Sequence, residues 1–199
     1  MVTNRRLVTA GGPDFYPTPS WGTQALLNHI RFRGSIFEPC CGDGAMAEVI
    51  KAAGFSVEAS DVVYRGYGKC IDFLDVTERK DNIVTNPPFN AAEKLLAHAL
   101  KLARYKVCFL LRTAFLESRR RYEKFYATNP PSTLLVFSER LSMYPKGSEV
   151  DGGGTMSYAW FVWDKTDHSG VVKVLWIPPG LKPKSRHLRV HQSTTAEEG

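Results

Sequence analysis

Short apolar runs alternate with segments of helical period along most of this chain, and few architectures accept that rhythm. The patterning predicts helices over 20–33, 44–53, 91–104 and 117–127. It predicts strands over 35–39, 56–60, 82–85, 106–111 and 133–138, with a strand or turn over 69–73. Strands separated by helices long enough to cross over and return are the signature of an α/β parallel sheet. The C-terminal part breaks the rhythm: apolar runs over 158–163 and 171–177 are joined by a polar segment with no helical period, which predicts an antiparallel edge hairpin.

With 199 residues and 43% hydrophobic composition, one domain over 1–180 can bury a core without staples. After Pro178-Pro179-Gly180 a basic tail, 181–199, is expected to lose order. Cys40, Cys41, Cys70 and Cys108 have neither zinc-ligand spacing nor the pattern of a disulfide framework, so no metal is expected and a reducing cytoplasm is. No stretch approaches the ~18 apolar residues of a membrane span, so no membrane partner is expected. The net charge of +6 is uneven: 104–146 holds nine Lys and Arg against three Glu, and 182–191 holds four basic residues, two His and no acid. A basic second half suits a polyanion, although a solvated basic surface would read the same way.

The chemistry starts at Glu38-Pro39-Cys40-Cys41-Gly42-Asp43-Gly44, where a strand ends and Gly42 and Gly44 let the backbone pass close beneath a ligand. No third glycine and no Gly-Lys-Ser/Thr follows, which argues against a dinucleotide or a P-loop triphosphate site. Asp61 closes the second strand, where a carboxylate can accept from both ribose hydroxyls. The ligand expected is a nucleoside without a pyrophosphate. Taken singly, the glycines also suit a tight turn, and Asp61 and Asp72 suit caps.

Thr85-Asn86-Pro87-Pro88-Phe89-Asn90 then ends a strand on two residues that lack a backbone donor. A delocalised exocyclic amine is a poor nucleophile and gains from acceptors that hold its two hydrogens. Asn86 offers a side-chain carbonyl and Pro87 a backbone carbonyl at a fixed angle. Pro88 stiffens the turn, and Phe89 offers a ring on which a flipped base can stack. A strand end with an Asn cap is the plain alternative.

In this order the motifs resemble the S-adenosylmethionine-dependent adenine-specific DNA methyltransferases, in particular the small stand-alone enzymes of phages and prophages. The resemblance runs from Asp14-Phe15-Tyr16-Pro17-Thr18-Pro19 through Asp72-Phe73 and Asn86–Phe89 to Tyr158–Trp163. It implies a Rossmann-like class I methyltransferase fold with a mostly parallel seven-stranded sheet, an antiparallel edge hairpin and helices on both faces. It further implies that Phe15, Pro17 and Thr18 close over the methionine end of the cofactor and that Glu38, Pro39, Cys40, Gly42 and Gly44 form its floor. Asp61 would hold the ribose, Asp72 and Phe73 would flank the adenine, and Asn86 would touch both cofactor and substrate. Such an enzyme would work in a bacterial or phage-infected cytoplasm, as a monomer or weak dimer. The substrate surface is sought in Arg112, Phe115, Arg119, Arg120, Arg140, Lys146 and Tyr158, in the loop 142–155 and in the tail 184–191. With no room for a separate recognition domain, low sequence specificity is expected. The Asn-Pro-Pro-Phe motif fits adenine in RNA and glutamine in protein as well. The lack of a helical substrate-binding domain before residue 35 counts against the protein-glutamine reading. Paired carbonyl acceptors count against a non-catalytic nucleic-acid-binding module.

Overall fold

A computed structural model describes residues 15–143 and 156–183. Lys146, nearly all of the 142–155 loop and the 184–191 stretch lie outside the described residues. In chain order come α1 (Ser20–His29), β1 (Ile36–Glu38), α2 (Ala45–Ala52), β2 (Val57–Asp61), β3 (Lys69–Cys70), β4 (Lys80–Thr85), α3 (Ala92–Leu102) and β5 (Ala103–Arg112). The short α4 (Arg119–Arg121), β6 (Thr133–Phe137), β7 (Tyr158–Asp164) and β8 (Lys173–Ile177) follow. They build one eight-stranded mixed sheet in the order β3-β2-β1-β4-β5-β7-β6-β8.

Strand alternation explains the layering, because successive side chains leave opposite faces. Ile36, Val84, Leu110 and Trp160 go to one face, where Trp21 and Leu26 of α1 and Met46 and Ile50 of α2 cover them. Their neighbours Phe37, Ile83, Phe109 and Phe161 go to the other, beneath Leu95, Leu96 and Ala99 of α3. Both faces are therefore apolar, which is why the central strands read as continuous hydrophobic runs. The buried Trp160 indole donates to the Gly22 carbonyl at 2.8 Å and ties α1 to the sheet.

Two sequence expectations change. The hairpin expected of 158–163 and 171–177 does not form. β7 is antiparallel to both β5 and β6, so both its edges are taken, and β8 can only add to the far edge of β6, which it does in parallel register. With β3, this makes eight strands where seven were expected. The helix expected over 117–127 is a three-residue α turn capped by Ser118, followed by a π turn over Tyr122–Tyr126. Arg121 folds back and donates to the carbonyls of Phe115, Ala114 and Glu117, and Tyr126 donates to the Phe115 carbonyl at 2.8 Å. Those bonds tether the segment to the preceding loop at the expense of a regular helix. Among the described residues no helix is long and apolar enough to cross a membrane.

Candidate functional site

From β1 the chain builds outward through β2 to β3 on one side and then returns to lay β4 on the other side of β1, and ligands of open α/β sheets sit outside the strand ends at such a reversal. Here a cavity of about 380 Å³ opens beyond Glu38, Asp61 and Thr85, the last residues of β1, β2 and β4. It is lined by Phe15–Thr18, the end of β1 with its following turn and the start of α2, the end of β2 with its following loop, Asp72–Leu74, Asn86–Ala91 and Leu95 of α3. Of the residues singled out in the sequence, Phe15, Pro17, Thr18, Glu38, Pro39, Cys40, Asp61, Asp72, Phe73, Asn86, Pro87, Pro88 and Phe89 all meet at this cavity.

The two glycines act at one remove from the cavity wall. Gly42 has φ 54°, and a Cβ there would sit 2.2 Å from Cε2 of Phe15, so the missing side chain is what lets that ring lie on the turn. Gly44 has φ 87°, and a Cβ there would sit 2.4 Å from the Tyr67 ring. Tyr67 in turn donates to Glu48 of α2 at 2.7 Å. The second glycine therefore admits a packing aromatic.

Carboxylates dominate the electrostatics. Glu38, Asp43, Asp61 and Asp72 line the cavity against one cation, Arg65. Glu38 is 2% exposed and its Oε2 meets no hydrogen-bond partner among the described residues. Burial raises its pKa well above the ordinary 4.5, Asp61 and Asp43 push the same way, and the Ala47 backbone amide offsets only part. The same surroundings push the Cys41 thiol up to about 12 and the Cys40 thiol higher still, chiefly through burial, so neither is a thiolate nucleophile. Asp61 Oδ2 accepts from the Gly42 amide at 2.9 Å, and Oδ1 accepts from the Val63 amide at 2.9 Å and from Arg65 at 3.2 Å. Arg65 also lies 4.6 Å over the Phe15 ring. Asp72 accepts from the Leu74 amide at 3.0 Å and caps a short 3₁₀ turn, so the cap and the cavity wall are one residue.

Asn86 has the most telling geometry. Its Nδ2 donates to the Thr18 hydroxyl at 3.1 Å, to the Tyr16 carbonyl at 3.3 Å and to Met143 Sδ at 3.4 Å. A carbonyl can only accept, so Tyr16 fixes which end of the amide faces the N-terminal segment. No donor among the described residues meets Oδ1, which is left as an acceptor on a residue that lines the cavity. Thr18 is 6% exposed and Pro19 is the N-cap residue of α1, so the Pro17-Thr18-Pro19 turn delivers its hydroxyl from 68 positions away.

The expected substrate residues fall into groups. Arg112, at the end of β5, lies 4.1 Å over the Phe89 ring, and Tyr158 stacks on Phe89 at 6.0 Å and 29°. Phe115 packs edge-on against Phe161 at 5.8 Å, beneath Arg121. Arg119 is 91% exposed and pairs with Glu123, and Arg120 pairs with Glu93 at 2.9 Å. Arg140 is exposed beyond β6. Tyr16, Cys41, Asp43 and Arg65 also line the cavity and were not singled out from the sequence. Only Arg65, four positions after the strand-ending Asp61, carried a spacing that could have pointed to it.

No family profile matches the chain, and no curated protein matches its sequence. Solved structures do match its fold. A proposed RNA methyltransferase from Pyrococcus horikoshii superposes with a TM-score of 0.54 at 16% identity, over 73% of this chain and 80% of that one. A proposed hemolysin from Lactococcus lactis gives 0.51 at 13% identity, over 77% and 89%. A structure described for the conversion of a disulfide bond into a thioacetal group during echinomycin biosynthesis gives 0.50 at 17%, over 78% and 87%. The fold is the Rossmann-like one of class I methyltransferases.

Proposed function

We propose that this chain transfers a methyl group from S-adenosylmethionine to the exocyclic amino nitrogen of adenine in DNA, with low sequence specificity, as the small phage and prophage enzymes do. The observation that carries the reading is the anchored Asn86 amide: its Nδ2 is held by Thr18 and Tyr16, no donor among the described residues meets its Oδ1, and it lines a carboxylate-rich cavity together with Pro87.

The residues present fit the cofactor. A cavity with four acids and one arginine suits a ligand that carries a sulfonium and an ammonium, and suits a pyrophosphate poorly. The unpartnered Glu38 Oε2 can take the ammonium, Asp61 Oδ2 keeps one lone pair for a ribose hydroxyl, and Phe73 and Asp72 can flank an adenine ring. Bound S-adenosylmethionine supplies an electrophilic methyl group. Asn86 Oδ1 and the Pro87 carbonyl accept the two amine hydrogens, bias the nitrogen toward tetrahedral geometry and stabilise the positive charge that it gains. Phe89 stacks on the base and holds it in line. No strong base is needed, because the methylated ammonium is acidic and releases its proton to water.

A transfer assay with tritiated methyl groups on DNA, RNA and total protein tests this. Label on N6 of DNA adenine supports it. Label confined to RNA adenine or to protein glutamine replaces it with the corresponding alternative.

A further inference from the structure

We infer that Arg112 is a specificity-determining residue that grips a backbone phosphate beside the target base, so that the acceptor must be a polynucleotide. The inference rests on the proposed adenine chemistry of the Asn86–Phe89 site and names what else that site recognises.

Arg112 is a cation with no carboxylate partner among the described residues. Arg112 ends β5 directly opposite Tyr158 of β7. Directly opposed residues of an antiparallel pair project to the same face of the sheet. Both lie against Phe89, the guanidinium carbon 4.1 Å from the ring centroid and the Tyr158 ring at 6.0 Å. Phe89 lines the cavity, whereas Arg112 and Tyr158 do not, so they flank the ring from outside the cofactor space. Among the described residues the buried Arg112 Nε meets no hydrogen-bond partner and no carboxylate pairs with this side chain.

Other arginines on the basic stretch already have a carboxylate beside them, although at the exposed Arg119 and Arg120 a phosphate can displace it. Arg119 meets Glu123, and Arg120 and Arg121 meet Glu93. Arg121 further spends its fork on main-chain carbonyls. A buried guanidinium nitrogen without an acceptor is a cost that native structures rarely carry, and the cost disappears when the missing acceptor arrives with the substrate. The planar fork of arginine matches the paired oxygens of a phosphodiester and forms charge-assisted bonds with them. The guanidinium covers one face of Phe89 at 4.1 Å, so a base uses the face of the ring turned to the cavity while the adjoining phosphate meets the guanidinium. A protein glutamine brings no such anion.

The test uses a duplex in which the methylated adenine has been mapped. Single uncharged methylphosphonate linkages are scanned through the phosphates around that adenine, with wild type, Arg112→Gln and Arg112→Lys. One flanking linkage should raise the wild-type KM about ten- to a hundredfold, the range for one charge-assisted bond, while remote linkages do little. The same linkage should cost Arg112→Gln almost nothing further, and Arg112→Lys should recover part of the loss. S-adenosylmethionine affinity, measured calorimetrically on each variant, should stay unchanged and shows that the fold survives. If the two perturbations multiply at every linkage, Arg112 merely supports Phe89 and the inference falls while adenine methylation stands. If RNA proves to be the acceptor, the same scan applies to it. If only phosphate-free acceptors are methylated, both readings fall.

Discussion

Replacing Thr18 by Val isolates the tie that orients Asn86. The two side chains are nearly isosteric and the site is 6% exposed, so the exchange opens no cavity and deletes an acceptor. The Asn86 amide then loses the shortest of its bonds, at 3.1 Å, and keeps the Tyr16 carbonyl at 3.3 Å and Met143 Sδ at 3.4 Å. A net hydrogen bond is worth about 0.5–1.5 kcal/mol. If that energy serves to hold Oδ1 in its accepting orientation, the amide samples wrong rotations and the chemical step slows about tenfold. Ground-state cofactor binding draws mainly on Glu38 and Asp61 and should change little. Single-turnover methyl transfer at saturating cofactor measures the step, calorimetry measures the binding, and Thr18→Ser, which keeps the oxygen, should restore the rate. A Thr18→Val rate within about twofold of wild type would refute the reasoning, since a tenfold loss needs only about 1.4 kcal/mol.

Further outcomes are expected. Asn86→Ala should lose about a hundredfold or more in rate while still binding S-adenosylmethionine; substantial turnover would remove the residue from the chemistry. Asp61→Asn should weaken cofactor binding and also lower the melting temperature, because the carboxylate takes three protein donors besides any ribose. Burial raises the Glu38 pKa, so the stability it contributes is complete below 4.5 and is lost as pH rises through the higher folded value. Melting temperature of the ligand-free protein should therefore fall over that window, and Glu38→Gln should flatten the profile; an unchanged profile would mean that Glu38 ionises freely. Replacing Arg119 and Arg120 together by Gln should flatten the salt dependence of DNA binding by about one to two units of slope, read by titration at several salt concentrations. Arg121 is left intact in that variant because its bonds to three carbonyls hold the segment together.

What was legible in the sequence was whatever local chemistry dictates. β1, β2 and β4 end close to their expected places because each is stopped by a turn former: Pro39 after β1, Asp61, which accepts from the Val63 amide, at β2, and Asn86-Pro87 after β4. The cavity residues were legible because strand ends in a parallel sheet converge, so residues distant in sequence but alike in position meet. Pairing was not legible at the C-terminal end. Whether β8 joins β7 or β6 depends on which edge is free, and that is decided by the insertion of β7 between β5 and β6. Nor could periodicity reveal that Arg121 prefers the carbonyls behind it to solvent. The partners of Asn86 lie 68 and 70 residues upstream, and no local signal connects them to it.

Those partners also explain why position 86 carries an amide when the task is to accept hydrogen bonds, which a carboxylate would do more strongly. An aspartate there would offer the Tyr16 carbonyl no hydrogen, so two oxygens would face each other at about the 3.3 Å that the amide now bridges. It would also add a fifth acid to a cavity that holds Glu38, Asp43, Asp61 and Asp72, where mutual repulsion and burial already raise the Glu38 pKa. A carboxyl in that company would tend to keep its proton, and a protonated carboxyl is a donor on one of the oxygens needed to accept. The amide avoids both problems: its nitrogen satisfies the N-terminal segment, its oxygen is an acceptor at every pH, and its orientation is set by a backbone carbonyl that cannot itself change role. The N-terminal turn is thus part of the reaction site through an oxygen it contributes, and a chain that kept Asn86–Phe89 but lost Tyr16 and Thr18 would retain the motif without its direction.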